Sequence, residues 1–199
     1  MISNRISAVL LAAGGSNRLG RPKQLLLFKN DLLINHIVAQ IKEGGIIDIF
    51  IVLGSQFDQI KSAISHKDVK IIYNPLWEQG VSTSIKAGLE KIDTNTESLV
   101  FFVVDQPFLE SGIIKKVVEK SFNSEKLIIA VEVEGNLVHP VLFRKELFPD
   151  LSRLQGDVGG KAIMKDRSII DTVICNNRRL IEDIDSEEAY ESLIENENI

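Results

Sequence analysis

A single cysteine, Cys175, excludes an internal disulfide and fits a chain that works in a reducing cytoplasm. No apolar run approaches the ~20 residues that a bilayer span needs, so no membrane segment is expected. Positive charge is in the minority: a net charge of −5 and a pI near 5.3 exclude a general nucleic-acid binder. Met1 to Arg5 run straight toward an apolar stretch, leaving no room for a leader, so no signal peptide is expected. Repeats, low-complexity tracts and linkers are also missing. A length of 199 residues then suits one domain, residues 1–199, with a sizeable core.

Two further absences are local. Residues 1–30 hold Arg5, Arg18, Arg21, Lys23 and Lys29 but no Asp or Glu. Residues 180–199 hold acids from Glu182 to Glu197 but no base. The acidic tail reads as a solvated helix face. The acid-free start reads as a locally positive patch, which an acidic protein would need in order to hold a nucleotide.

That patch surrounds the most informative stretch of the chain. Ile6 to Leu11 is a short apolar run of the kind that forms a strand buried on both faces. It breaks into Ala12-Ala13-Gly14-Gly15-Ser16-Asn17-Arg18-Leu19-Gly20-Arg21-Pro22-Lys23-Gln24. Glycines permit positive φ and leave no side chain to hold a ligand away, so successive backbone N–H groups can converge on an anion. Three cations on the same loop strengthen the reading as a polyphosphate site. Two familiar phosphate loops are excluded. A P-loop needs Lys-Ser/Thr directly after its last glycine, whereas Arg21-Pro22 follows Gly20. A dinucleotide fingerprint needs G-x-G-x-x-G, whereas Gly14 and Gly15 are adjacent.

Beyond the loop, strands and helices alternate. Asp31 to Glu43 carries Leu33, Ile34, Ile37, Val38 and Ile41 at helical spacing and ends on Gly44-Gly45. Ile46 to Leu53 reads as a second buried strand, Gln56 to Ser65 as a short helix and Val69 to Tyr73 as a third strand. Leu99 to Val104 is the most apolar strand, followed by a helix over about Leu109 to Phe122. Leu127–Val133 and Leu137–Phe143 flank a hairpin turn at Glu134-Gly135-Asn136. Ile169 to Cys175 is a late strand in which Cys175 is a small buried residue. This order predicts a three-layer α/β/α sandwich with a mostly parallel, Rossmann-like central sheet.

Several polar groups punctuate that frame. In Asn74-Pro75-Leu76-Trp77-Glu78-Gln79-Gly80-Val81-Ser82-Thr83-Ser84, Ser82 or a neighbour can cap a helix running to Lys91. Trp77 there reads as a core or lid anchor. Asp105 ends a central strand where open α/β sheets bind ligands; it could cap the next helix or join Mg²⁺, which takes one or two carboxylates plus phosphate oxygens. Asp185, with Glu188 three residues on, reads as a capping box for the terminal helix. Gly156-Asp157-Val158-Gly159-Gly160-Lys161 is a glycine cluster that could simply lead into a helix through Met164. His36 and His66 read as packing or surface residues.

Taken together, L-A-A-G-x-S-x-R-x-G-x-P-K-Q at Leu11–Gln24 resembles the signature loop of nucleotidyltransferases, in the branch of the MobA-like molybdenum cofactor cytidylyltransferases. N-P-x-W-x-x-G-x-x-x-S from Asn74, D-Q-P at Asp105, His139-Pro140, G-D-x-G-G-K at Gly156 and D-I-D-S-E-E at Asp183 resemble later elements of the same family, in order along the chain. The resemblance implies the fold of nucleotide-diphospho-sugar transferases and transfer of CMP from CTP to a phosphorylated acceptor, with pyrophosphate leaving. It implies that Leu11, Ala12, Ala13, Gly14, Gly15, Ser16, Arg18 and Lys23 bind the nucleotide, with Gly80, Ser82 and Ser84 contacting cytosine and ribose. Arg18, Lys23 and Asp105 would be catalytic, and Asp105 and Asp185 would hold Mg²⁺. His139, Pro140, Gly156, Asp157 and Gly159 would border the acceptor. The family's glycine before the histidine is Val138 here, and Lys161 replaces its arginine.

Ala12-Ala13-Gly14, in place of the L-A-G-G of the related guanylyltransferases, implies CTP. The implied acceptor is molybdenum cofactor, with transient contact to a molybdenum hydroxylase. Three other readings stay open: cytidylyl transfer to another small phosphate such as methylerythritol phosphate, a non-catalytic maturation factor, and an oxidoreductase.

Overall fold

The structure is a computed structural model that describes residues 5–197, so the expectation about a leader at residues 1–4 lies outside the described residues. In chain order the main elements are β1 (Ile6–Ala12), β2 (Leu27–Phe28), β3 (Asp31–Leu32), α1 (Leu33–Glu43), β4 (Asp48–Leu53), α2 (Phe57–Ala63) and β5 (Lys70–Tyr73). They continue with α3 (Val81–Leu89), β6 (Ser98–Val103), α4 (Ser111–Asn123), β7 (Ile128–Val133), β8 (Asn136–Arg144), α5 (Phe148–Ser152), β9 (Ile170–Ile174) and α6 (Glu187–Glu197).

Seven strands form one sheet in the order β5-β4-β1-β6-β8-β7-β9. β1 pairs in parallel with β4 on one side and β6 on the other, β4 with β5, and β7 with β9. Only β8 runs against its neighbours. The predicted three-layer α/β sandwich is therefore the observed one. Because β4 and β6 leave β1 in opposite directions, the chain reverses its strand order at β1. A crevice opens beyond the carboxyl ends of such strands.

The near-continuous apolar strands reflect burial on both faces. Ala8, Leu10 and Ala12 of β1 point with Ile49, Ile51 and Leu53 of β4 toward α1, α2 and α4. Val9 points with Phe50 and Val52 toward α3 and α5. Side chains alternate because the strand period is two, so one sequence run fills two cores. Each fully buried Leu or Ile contributes about 1.5–3 kcal/mol relative to exposure.

Two expectations need correction here. Asp31-Leu32 is not the start of α1; it pairs with Leu27-Phe28 as a small hairpin. His139-Pro140 lies in the interior strand β8, where the register against β7 shifts between Ala130 and Val131, and this bulge accommodates a proline that cannot donate to the ladder. Cys175 is half-buried just past β9, its Sγ facing the Asn177 carbonyl at 3.9 Å. The turn at Glu134-Gly135 is the expected hairpin: both residues have positive φ, which matches the twist of the flanking strands.

Candidate active site

The loop after β1 is built around Ser16, a non-glycine residue at φ 53°. The Ser16 carbonyl accepts from the N–H groups of Leu19 (3.0 Å) and Gly20 (3.1 Å). The Ser16 hydroxyl oxygen accepts from the Lys23 N–H at 3.1 Å. Gly20 completes the turn at φ 73°, where a side chain would be strained. Three consecutive carbonyls upstream are also occupied. Gln24 Nε2 donates to Ala12 at 2.7 Å and to Gly14 at 3.2 Å, and the Ser55 N–H donates to Ala13 at 3.0 Å. By contrast, no backbone N–H from Ala13 to Arg18 donates to a partner among the described residues. A loop with its acceptors occupied and its donors spare is an anion-binding nest.

A cleft of about 710 Å³ opens over this loop. Its lining brings together Leu11 to Arg18, Lys23, Gly80, Ser84, Asp105, Asp157 and Asp185, all singled out from the sequence except Asn17. Ser82, His139, Pro140, Gly156 and Gly159 do not line it. Ser82 is 1 % exposed inside α3 with its hydroxyl unpartnered among the described residues. His139 lies beside Lys161 on a separate small cavity. Burial pushes the His139 imidazole pKa down, partly offset by the contact of Nδ1 with the Phe101 carbonyl at 3.1 Å.

The expected serine cap of α3 is absent. Gly80 stands at the cap position with φ 106°, and the cap is supplied from elsewhere. The Gly156 carbonyl accepts from the Ser82 N–H at 3.2 Å, and Asp157 Oδ1 from the Val81 N–H at 3.4 Å. A side chain at Gly80 would meet the Gly156 backbone at 2.3 Å, so two distant loops close on each other there. The 156–161 segment leads into a single 3-10 turn, Gly160–Ala162, rather than a helix through Met164.

At the far end of β6, Asp105 faces Lys23, whose Nζ lies 3.2 Å from Asp105 Oδ2 and 2.8 Å from Asp185 Oδ1. Arg18 reaches the other oxygen of Asp185 at 3.0 Å. Asp105 caps nothing, since α4 begins six residues later at Ser111 behind Glu110. Nor does Asp185 cap α6. That role falls one residue on, where the Ser186 hydroxyl oxygen accepts from the Ala189 N–H at 3.2 Å. Both carboxylates are thereby left to the cleft.

Electrostatics follow from this packing. Burial alone would lower the Lys23 pKa, but attraction to Asp105 and Asp185 outweighs it and the value is raised. The hydrogen bond from Lys23 holds the Asp185 carboxyl below its usual range. Burial, then repulsion from Asp105 and Asp185, pushes the Asp183 carboxyl up to about 6. The positive patch expected at the amino terminus is therefore not free: Arg18, Arg21 and Lys23 are each paired with an acid from Asp105, Asp185 or Glu187. Among charged residues of the lining, Arg18 and Lys23 face Glu78, Asp105, Asp157 and Asp185.

Among the described residues no group of three or more His, Cys, Asp or Glu side chains forms a metal cage. What the protein offers is two carboxylates converging on one cation, here the Lys23 ammonium. Oxygen donors in that number suit a hard divalent ion that takes its remaining ligands from phosphate and water.

Sequence reasoning did not single out Gln24, Ser55, Asn74 or Trp77 for this site. Trp77 lies over the loop: side chains at Gly15 and Gly54 would meet its ring system at 3.0 Å and 2.5 Å. Asn74 Nδ2 donates to Ser84 Oγ at 3.0 Å and fixes the serine that lines the cleft. The signals were a polar residue directly after Pro22-Lys23 and the asparagine of the tryptophan loop.

Residues 8–173 match the family described as MobA-like NTP transferase domain, and the chain belongs to that family of nucleotidyltransferases. Asp185 lies beyond the matched span. The chain is 27 % identical over 204 residues to "Nicotine blue oxidoreductase" of Paenarthrobacter nicotinovorans, covering 95 % of this chain and 96 % of that one. It is 26 % identical over 137 residues to "Probable molybdenum cofactor guanylyltransferase" of Natranaerobius thermophilus, covering 68 % and 64 %. Among solved structures it resembles Rv0371c of Mycobacterium tuberculosis, with TM-score 0.87, 22 % identity and coverage of 97 % and 99 %. The manganese complex of that protein gives TM-score 0.82 at 20 % identity, covering 96 % and 98 %. No helix among the described residues is long and apolar enough to cross a membrane.

Proposed function

We propose that this protein transfers CMP from CTP to a phosphorylated acceptor, molybdenum cofactor, and releases pyrophosphate. The observation that carries this reading is the meeting of three sequence-distant segments in one cleft: the donor-rich loop, Asp105 and Asp185. Membership of the nucleotidyltransferase family supports the reaction class. The choice of CTP rests on Ala12-Ala13-Gly14, and that of the acceptor on the resemblance of the later motifs. One domain over residues 1–199 would carry the whole activity.

An acceptor phosphate oxygen attacks the α-phosphorus, and the bond to the β,γ-diphosphate breaks. The protein need supply no covalent nucleophile; it aligns two polyanions and offsets the charge that builds on the α-phosphoryl and leaving groups. The loop amides of Ala13 to Ser16 would hold the phosphate chain, and Arg18 and Lys23 would stabilise the departing pyrophosphate. Asp105 and Asp185 would hold Mg²⁺. Bound there, such an ion supplies Lewis-acid polarisation of phosphate oxygens and offsets their charge. The charge pattern of the cleft supports this, because four carboxylates against two cations would otherwise repel a triphosphate. Of the cleft-lining residues, Trp77 and Ser84 would border the nucleotide and Asp157 the acceptor. The partners are thus two small molecules and, on product delivery, a molybdenum hydroxylase in the cytoplasm.

The test is pyrophosphate release by the purified protein with each of the four ribonucleoside triphosphates, Mg²⁺ and molybdenum cofactor. Release with CTP alone is expected. Release with GTP would overturn the base assignment, and release only with methylerythritol phosphate would overturn the acceptor. The full-length match to an oxidoreductase gives a second reading, favoured if no triphosphate reacts.

A further inference from the structure

Gln24 follows Lys23 in the short turn Lys23–Leu25 and is 1 % exposed. It borders the cleft, and its side-chain amide donates to the carbonyls of Ala12 and Gly14 at 2.7 Å and 3.2 Å. The orientation of the amide is fixed, since turning it over would set its oxygen against two carbonyl oxygens. In that orientation Gln24 Oε1 is buried without a hydrogen-bond partner among the described residues. An unpaired buried acceptor costs stability, so the amide is kept for its donor, without which the Ala12 and Gly14 carbonyls would lose this partner. Packing alone therefore does not account for a glutamine here.

We propose that Gln24 is the positioning residue for the nucleotide's triphosphate. By holding the carbonyls on either side of Ala13, it blocks the peptide flips that would exchange N–H for C=O at the cleft. A carbonyl turned toward a phosphate oxygen repels it; an N–H binds it. Ser55 holds the carbonyl between them at 3.0 Å, so Ala12, Ala13 and Gly14 are fixed as a unit. The phosphate chain, not the base, is what this residue selects. The inference rests on the nucleotidyl-transfer reading of the same cleft.

The experiment is titration calorimetry of wild type, Gln24→Met and Gln24→Asn with Mg²⁺ plus CTP, inorganic tripolyphosphate or CMP, with a thermal melt of each protein. Gln24→Met keeps the volume and removes the donor; Gln24→Asn keeps the amide but falls one methylene short of both carbonyls. Both variants are expected to weaken CTP and tripolyphosphate by about tenfold or more, the scale of one lost hydrogen-bond arrangement. CMP affinity is expected to stay within about twofold of wild type, well under the tenfold that one lost hydrogen bond would give. A folded variant that binds tripolyphosphate as tightly as wild type would overturn the assignment of Gln24. So would an equal loss for all three ligands, which marks a general collapse of the cleft. Wild type binding neither CTP nor tripolyphosphate would instead overturn the reading of the cleft itself.

Discussion

Two sequence-distant segments, the loop after β1 and the arm around Asp185, meet at the cleft, and they are made in different ways. The amino-terminal loop is fixed in its path by hydrogen bonds to its backbone, from Ser16, Gln24 and Ser55, with Lys23 tying its end to Asp105. The carboxyl-terminal arm adds exposed ion pairs to an apolar anchorage. Arg18 and Lys23 hold Asp185, Arg21 holds Glu187 and stacks over Tyr190 at 5.2 Å, and the Tyr190 hydroxyl donates to the Leu27 carbonyl at 2.9 Å. Two apolar anchors, Ile184 and Leu193, complete the attachment. One half of the site is preformed; the other half is docked onto it. The comparison predicts that substitutions in the loop change chemistry, whereas those in the arm change how firmly the second aspartate is presented.

Lys23 joins both halves and should give the largest effect. Its side chain is 13 % exposed and bonded to Asp105 and Asp185 together. Lys23→Ala is expected to leave the fold intact and cut turnover by ~10² or more, the scale of one lost preorganised electrostatic contact. Steady-state pyrophosphate release measures it. Near-normal turnover in the purified variant would end the role given to Lys23.

The contrast also explains what could be read from the sequence. The loop was legible because glycines, a non-glycine turn residue and Pro22-Lys23 encode its path locally, and β1, β4 and β6 because burial on both faces leaves a continuous apolar run. What sequence could not give were partners made by tertiary approach. The cap of α3 comes from Gly156 and Asp157, over seventy residues away, so no local pattern announces it. The Asp185 capping box was a local pattern that lost by one residue to Ser186. The acid-free amino terminus was read as free positive charge because the acids that neutralise it lie at the other end of the chain.

An intermediate effect is expected in the arm. Arg21→Ala removes an exposed ion pair worth about 0–1 kcal/mol and a stacking contact of about 0.5–1 kcal/mol. Together these predict a melting temperature lower by about 1–8 °C for a chain of this size. The clearer readout is amide exchange of α6, which should quicken in the variant and, in wild type, on raising salt, because exposed pairs are screened. Exchange at the hydrogen-bonded loop amides of Leu19, Gly20 and Lys23 should not respond. Equal quickening in both regions would erase the distinction between a preformed and a docked half.

The smallest effect concerns acid, to which the loop half should be the more sensitive. His36 on α1 packs edge-on against Phe28, ring centres 4.9 Å apart, and its Nε2–H donates to the Pro107 carbonyl at 3.1 Å. Burial, then the nearby Lys29, lowers its pKa, with the Pro107 bond opposing them. A histidine whose folded pKa lies below its unfolded value binds fewer protons folded than unfolded. Its contribution is therefore complete above the unfolded pKa of about 6.5 and is lost as pH falls toward the folded value. Charging His36 costs stability through its burial and the nearby Lys29, while the Nε2–H bond to Pro107, two residues past Asp105, can be made by either form and the arm's ion pairs are untouched. Melting curves at pH 7.5 and 5.5 should show a smaller acid loss in His36→Gln, whose amide can still donate to Pro107, than in wild type. If the two proteins lose stability equally over that interval, the acid sensitivity resides elsewhere and His36 is only packing.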